Sequence, residues 1–125
     1  MNAYLLVGLG GAIGAMLRYG AGVSLGSLAN GFPVATFAVN LAGSIAMGLL
    51  IGILAKTTPQ YQNEIRLFLA VGIFGGFTTF SSFSLDAFSL LERGDYLLAA
   101  LYILGSVALG IAGLAMGLFA VRMVA

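Results

Sequence analysis

Gly75-Gly76-Phe77-Thr78-Thr79-Phe80-Ser81-Ser82-Phe83-Ser84-Leu85-Asp86 places two glycines, five hydroxyls and three phenylalanines inside a chain that is otherwise strongly apolar. Glycine loosens a helix, and each hydroxyl is a polar group that must find a partner. A lipid-embedded segment tolerates both only where they face protein or line a cavity. The stretch therefore marks a polar path or site inside a membrane.

Working outward, the rest of the chain supports that reading. Of its 125 residues 61% are hydrophobic and 7% charged, and the mean hydropathy is +1.10. Soluble domains carry roughly 25% charged residues, which argues against a water-soluble fold. One helical span takes about 20 residues, so this length admits at most four. A membrane barrel needs alternating apolar and polar residues, and runs such as Ile45 to Leu54 do not alternate. The expected fold is an all-α membrane protein: one integral domain over residues 1–125, with spans at about 3–24, 34–54, 66–91 and 96–121. The third span is expected to be interrupted at Gly75-Gly76. Turns fall at Gly26 to Pro33, at Lys56-Thr57-Thr58-Pro59-Gln60 and at Glu92-Arg93-Gly94-Asp95.

Several functions are disfavoured by what the chain lacks. Net charge is +1 with no basic run, so nucleic acid is not an expected partner. Cysteine is absent, which removes disulfides and thiolate nucleophiles. Histidine is absent too, and with it the commonest general base and proton shuttle. No paired carboxylates stand in for them, so an enzyme is not expected. Met1-Asn2-Ala3-Tyr4 lacks the basic start of a signal peptide, so the first span is expected to be retained. Gly8-Leu9-Gly10-Gly11-Ala12-Ile13-Gly14 has the wrong spacing for a dinucleotide loop, and no acid follows before Glu64.

Each span carries glycines four residues apart: Gly10 and Gly14, Gly48 and Gly52, Gly72 and Gly76, Gly113 and Gly117. Such pairs let helix backbones approach closely in lipid. Four short helices make a thin wall for a pore, so a homo-oligomer is expected. Loop charges orient the chain weakly: Lys56, Arg66 and Arg122 share one side, against Arg93 on the other.

The polar residues within the spans fall into groups. Asn40 lies deep in span two, where its amide either bonds a neighbouring helix or donates to an anion. Phe80 and Phe83, three apart, share a helix face with Phe77 one turn earlier. Between them stand Thr78, Thr79, Ser81, Ser82 and Ser84. Hydroxyls donate to an anion without the strong hold of a fixed charge, and phenylalanine ring edges are electropositive. A path of this kind binds weakly enough to conduct. Gly75-Gly76 is either a packing pair or a break whose freed carbonyls coordinate a cation such as Na⁺. Tyr102, Ser106 and Gly110 repeat at four-residue spacing in span four. Near span ends, Arg18 either snorkels, holds anions at a vestibule or pairs with Asp86, and Asp86 otherwise caps a pore mouth.

These motifs together resemble the Fluc (CrcB) family of fluoride channels over nearly the whole chain. Gly10-Gly11, Gly14-Ala15 and Arg18-Tyr19 resemble its first helix. Thr36, Val39-Asn40 and Gly43-Ser44 resemble the second, Gly72 with the opening stretch the third, and Tyr102, Ser106 and Gly110 the fourth. The resemblance implies a fluoride channel assembled as an antiparallel, dual-topology homodimer in a prokaryotic inner membrane. It implies a structural Na⁺ on the backbone carbonyls of Gly75 and Thr78. It makes Phe80 and Phe83 an aromatic box, lines the anion path with Asn40, Ser81, Ser82, Tyr102 and Ser106, and sets Arg18 near the vestibule. Three positions depart from the family pattern: Asp86 replaces the commoner Glu, Ser82 the commoner Thr, and Ala35 the commoner Gly.

The rival from another class is a small dual-topology, proton-coupled multidrug exporter. That mechanism needs a carboxylate deep in the membrane, and Asp86 is the one candidate, near the end of its span. Passive conduction is therefore the expected mode.

Overall fold

The computed structural model describes residues 2–124. Helix α1 (Ala3–Leu25) starts where the Asn2 side chain accepts the Tyr4 N–H, and it ends at Gly26, whose φ of +60° leaves the right-handed region. Helix α2 (Val34–Thr57) ends at Thr58 in a left-handed turn. The third span begins with α3 (Gln62–Ile65), continues as a π-helical stretch (Arg66–Phe74) and closes with the short α4 (Gly75–Phe77). Helix α5 (Phe80–Glu92) completes that span, and α6 (Tyr96–Met123) is the fourth. Four segments are thus long and apolar enough to cross a membrane: Ala3–Leu25, Val34–Thr57, Gln62–Glu92 and Tyr96–Met123.

Large apolar side chains cover the outside, among them Leu5, Met16, Leu97, Leu104, Ile111 and Met116. Facing lipid costs them nothing, so the interior needs only two small clusters. Leu90, Ala87, Ala99 and Tyr102 form one, and Leu50, Leu54 and Ala70 the other. Exposed tyrosines mark both ends of the bundle, Tyr4 and Tyr61 at one and Tyr19 and Tyr96 at the other. Amphipathic rings favour such positions at headgroup depth. The exposed Arg93–Asp95 pair, at 3.1 Å, sits in the α5–α6 turn and adds little stability.

Backbone contact holds the helices together. At all eight paired glycines an added Cβ would come within 3.0 Å of a neighbouring helix. Gly10, Gly14, Gly72 and Gly76 seat α1 against the π-helical stretch and α4, so Gly10 and Gly72 meet Cα to Cα. Gly48 and Gly117 do the same for α2 and α6, where Gly48 faces the Leu114 carbonyl, while Gly52 and Gly113 make room for the side chains of Val121 and Ile45. Where lipid removes the hydrophobic drive, this close approach supplies the dispersion contacts.

The interruption of the third span lies further along than the sequence suggests. Gly75 keeps helical angles (φ −63°, ψ −39°). The chain turns extended at Thr78 (φ −82°, ψ 158°) and Thr79 (φ −151°, ψ 119°). Glycine permits a break without imposing one. Here Gly76 faces the Gly11 carbonyl and serves packing.

Candidate functional site at the break in the third span

Two cavities open beside the break. The larger, about 400 Å³, is lined by Asn40, Gly43, Ser44 and Met47 of α2, by Phe74, Gly75, Thr78 and Thr79, by Phe80 and Phe83 of α5, and by Ser106, Val107 and Leu114 of α6. None of these carries a charge. The smaller, about 330 Å³, is lined by Arg18, Tyr19, Gly22 and Val23 of α1, by Ala35, Thr36 and Val39 of α2, and by Thr79 and Ser82. Thr79 borders both.

The extended pair is held by several hydrogen bonds. Thr79 N–H donates to Asn40 Oδ1 at 2.8 Å, and Asn40 Nδ2 donates to the Thr79 carbonyl at 3.1 Å. The Thr78 hydroxyl returns to the Phe74 carbonyl at 2.9 Å. Thr79 Oγ1 caps α5 by accepting Ser82 N–H at 3.1 Å, and lies 3.3 Å from Ser81 Oγ. That is the N-cap use of a threonine, which satisfies a first-turn N–H. Arg18 Nε donates to the Gly76 carbonyl at 3.0 Å.

The larger cavity gathers Asn40, Thr78, Phe80, Phe83 and Ser106, and the smaller gathers Arg18 with Ser82. Asn40 takes the helix-bonding option through one N–H and also borders the larger cavity. Ser106 Oγ is buried and has no hydrogen-bond partner among the described residues. Single serines in membrane helices usually bond back to their own backbone. This one is a donor without an acceptor at a cavity wall. Phe80 and Phe83 stand 5.8 Å apart, centroid to centroid, but Phe80 is 79% exposed. One chain alone does not enclose the two rings. Ser81 is exposed at the start of α5.

Tyr102 is placed differently from the sequence expectation. Tyr102 is fully buried and borders neither cavity. Its ring lies behind Phe83, 5.2 Å away, and against the edge of Phe32 at 5.5 Å. Its hydroxyl donates to Asp86 Oδ2 at 3.3 Å. Arg18 and Asp86 do not pair, because the Gly76 carbonyl holds the first and Tyr102 the second. Phe32 and the capping role of Thr79 were not singled out from the sequence. Thr79 could have been: a threonine just before a helix start is a capping signal. Phe32 sits in a loop and gives no such sign.

A helix bundle with an uncharged, largely apolar cavity bordered by Asn40 and a few hydroxyl residues at a broken span fits the membrane-transport class. Residues 5–118 match the family described as CrcB-like protein, Camphor Resistance (CrcB). The chain is 53% identical over 123 residues to a protein of Hyphomonas neptunium named fluoride-specific ion channel FluC, covering 98% of this chain and 97% of that one. Proteins of the same name from a Methylobacterium species and from Rhodopseudomonas palustris are 51% and 54% identical over 120 residues each. They cover 94% and 95% of this chain and 94% and 96% of their own. The chain belongs to the CrcB family.

Proposed function

We propose that this chain is a fluoride-specific channel, a multi-pass protein of a bacterial inner membrane that lets F⁻ leave the cytoplasm passively. It is not an enzyme. The observation that carries the proposal is the larger cavity, which no charged side chain lines and which Ser106 borders, its buried Oγ without a hydrogen-bond partner among the described residues. The names of relatives about half identical to it point the same way. The Asn40 amide, the Ser106 hydroxyl and the edges of Phe80 and Phe83 are the donors offered to the anion. Ser81 and Ser82 extend the path, and Tyr102, which borders neither cavity, supports it by backing Phe83. Arg18 draws anions to the smaller cavity, and Asp86 stands at the same end, engaged by Tyr102.

The working unit in this reading is an antiparallel homodimer of one-domain chains. Phe80 is the support: a ring proposed to face an anion lies open on the protomer surface and needs a second copy to enclose it. A structural Na⁺ joins the two copies through the carbonyls of Gly75 and Thr78. None of the hydrogen bonds around the break ends on the carbonyls of Gly75, Phe77 or Thr78. Such neutral, hard oxygens suit an alkali cation. When bound, the ion supplies a fixed positive charge between the two broken spans.

A proton-coupled exporter is not supported by the relatives, and the one acid that it could use is engaged by Tyr102. Purified protein in liposomes should release F⁻ much faster than Cl⁻ under an imposed gradient, with no pH gradient required. Equal rates for the two anions, or strict dependence on a proton gradient, would overturn the proposal.

A further inference from the structure

In an uninterrupted α-helix the Thr79 N–H would bond the Gly75 carbonyl, four residues back. Here one side chain from another helix takes both main-chain groups of that residue. Asn40 Oδ1 accepts the Thr79 N–H at 2.8 Å, and Asn40 Nδ2 donates to the Thr79 carbonyl at 3.1 Å. Asn40 lies 39 residues away in sequence. It therefore offers Thr79 the same donor and acceptor that helix continuation would, in extended geometry.

The consequence reaches the neighbouring carbonyls. Phe74 receives the Thr78 N–H at 3.0 Å and the Thr78 hydroxyl at 2.9 Å. Gly76 receives Arg18 Nε at 3.0 Å, and Thr79 receives Asn40. The carbonyls of Gly75 and Thr78 are left without these donors. Buried main-chain groups are nearly always paired, so a break in a lipid-embedded helix persists only while something replaces the lost bonds. Asn40 is the replacement at Thr79.

We infer that Asn40 is a positioning residue: it holds the third span interrupted at Thr78-Thr79 and so keeps the Gly75 carbonyl open. The first half of this rests on the geometry alone. The second half, that the open carbonyl serves the cation, rests on the Na⁺ reading given above. One N–H of the Asn40 amide does the holding, and the residue also borders the larger cavity. The two roles are compatible, so conduction cannot separate them and a different readout is needed.

Thr79 borders both cavities, so water can reach its amide once the bond opens. Site-resolved hydrogen exchange on the reconstituted full chain reads that bond directly. Asn40→Leu, close in size, should speed Thr79 exchange roughly five- to tenfold, the factor expected for one lost hydrogen bond. Asn40→Asp keeps the acceptor and loses the donor. It should leave Thr79 exchange near the native rate while shifting the infrared band of a ¹³C-labelled Thr79 carbonyl. If Asn40→Leu does not fold, the Asn40→Asp carbonyl shift decides alone. Native exchange in Asn40→Leu, or an unshifted carbonyl band in Asn40→Asp, overturns the inference. Dimer stability titrated with Na⁺ separates the second half. If Thr79 responds as expected but the native dimer never depends on Na⁺, the positioning role stands and the cation reading falls.

Discussion

Removing the Ser106 hydroxyl separates a residue kept for transport from one kept for stability. In Ser106→Ala the lost atom is Oγ alone, and Oγ makes no hydrogen bond to protein among the described residues. A side-chain hydrogen bond contributes about 0.5–1.5 kcal/mol, and a buried polar group without a partner costs about 1–3 kcal/mol. If Oγ bonds only water or a passing anion, its removal should change unfolding free energy by no more than about 0.5 kcal/mol, or should stabilise the protein slightly. Fluoride flux should nevertheless fall, because the cavity loses a donor that strengthens on meeting an ion; such charge-assisted bonds reach about 1.5–3 kcal/mol. The assay pairs thermal unfolding in detergent with fluoride efflux from liposomes, using Ser106→Thr as the variant that keeps the hydroxyl. A Ser106→Ala protein destabilised by more than about 1 kcal/mol that conducts normally would refute the reasoning. Its serine would then be an ordinary structural residue.

Neighbouring glycines should behave oppositely in thermal unfolding. Gly76→Ala drives a Cβ onto the Gly11 backbone and should cost at least about 1–3 kcal/mol, whereas a Cβ at Gly75 meets only the Ala70 carbonyl at 3.7 Å and should be tolerated by the protomer. Phe80→Ile and Phe83→Ile keep apolar bulk and remove the electropositive ring edge, so efflux should drop while the dimer, measured by cross-linking, survives. Replacing Na⁺ with a large organic cation during reconstitution should loosen the dimer; unchanged association after exhaustive removal would count against a required ion. Fluoride flux should stay level between about pH 6 and 8, since no histidine is present and no charged side chain lines the larger cavity.

The parts legible in the sequence are those that lipid dictates locally. Hydropathy marks four helices because each must satisfy its own backbone, and the four glycine pairs lie at helix contacts because close approach in lipid needs small residues. Part of the hydroxyl-phenylalanine run, Thr78, Thr79, Phe80, Ser82 and Phe83, borders the cavities for the same reason, while Ser84 bonds back to the Phe80 carbonyl. The misplaced features depend on distant partners. The break falls at Thr78-Thr79 because Asn40 bonds there from another helix, which no local signal reveals. Tyr102 turns behind Phe83 because Asp86 accepts its hydroxyl, although four-residue spacing put it on the face of Ser106. The π-helical register of Arg66–Phe74 likewise has no mark in the residues; it lies where α1 presses Gly10 and Gly14 against that stretch.

Charge placement follows from what conduction asks of a binding wall. At 4 Å, two unit charges attract by about 4 kcal/mol at the effective dielectric of a protein surface, and more strongly with burial. A guanidinium inside the larger cavity would thus act as a trap on an anion that must leave again. Neutral donors each contribute less, so several can replace the water around a small anion and still release it. The structure keeps these two kinds of group apart. Arg18 borders the smaller cavity with Nε engaged by the Gly76 carbonyl, and Asn40, Ser106 and the phenylalanines border the larger. Thr79 stands between them with its main chain fixed by Asn40 and its hydroxyl committed to the α5 cap. In the channel proposed above, an anion drawn by Arg18 would meet a wall of fixed dipoles at Thr79 before it reached the weak donors beyond. That order, attraction first and weak coordination after, requires a helix that stops at Thr78, since a continuous one would bury the same groups in its own ladder.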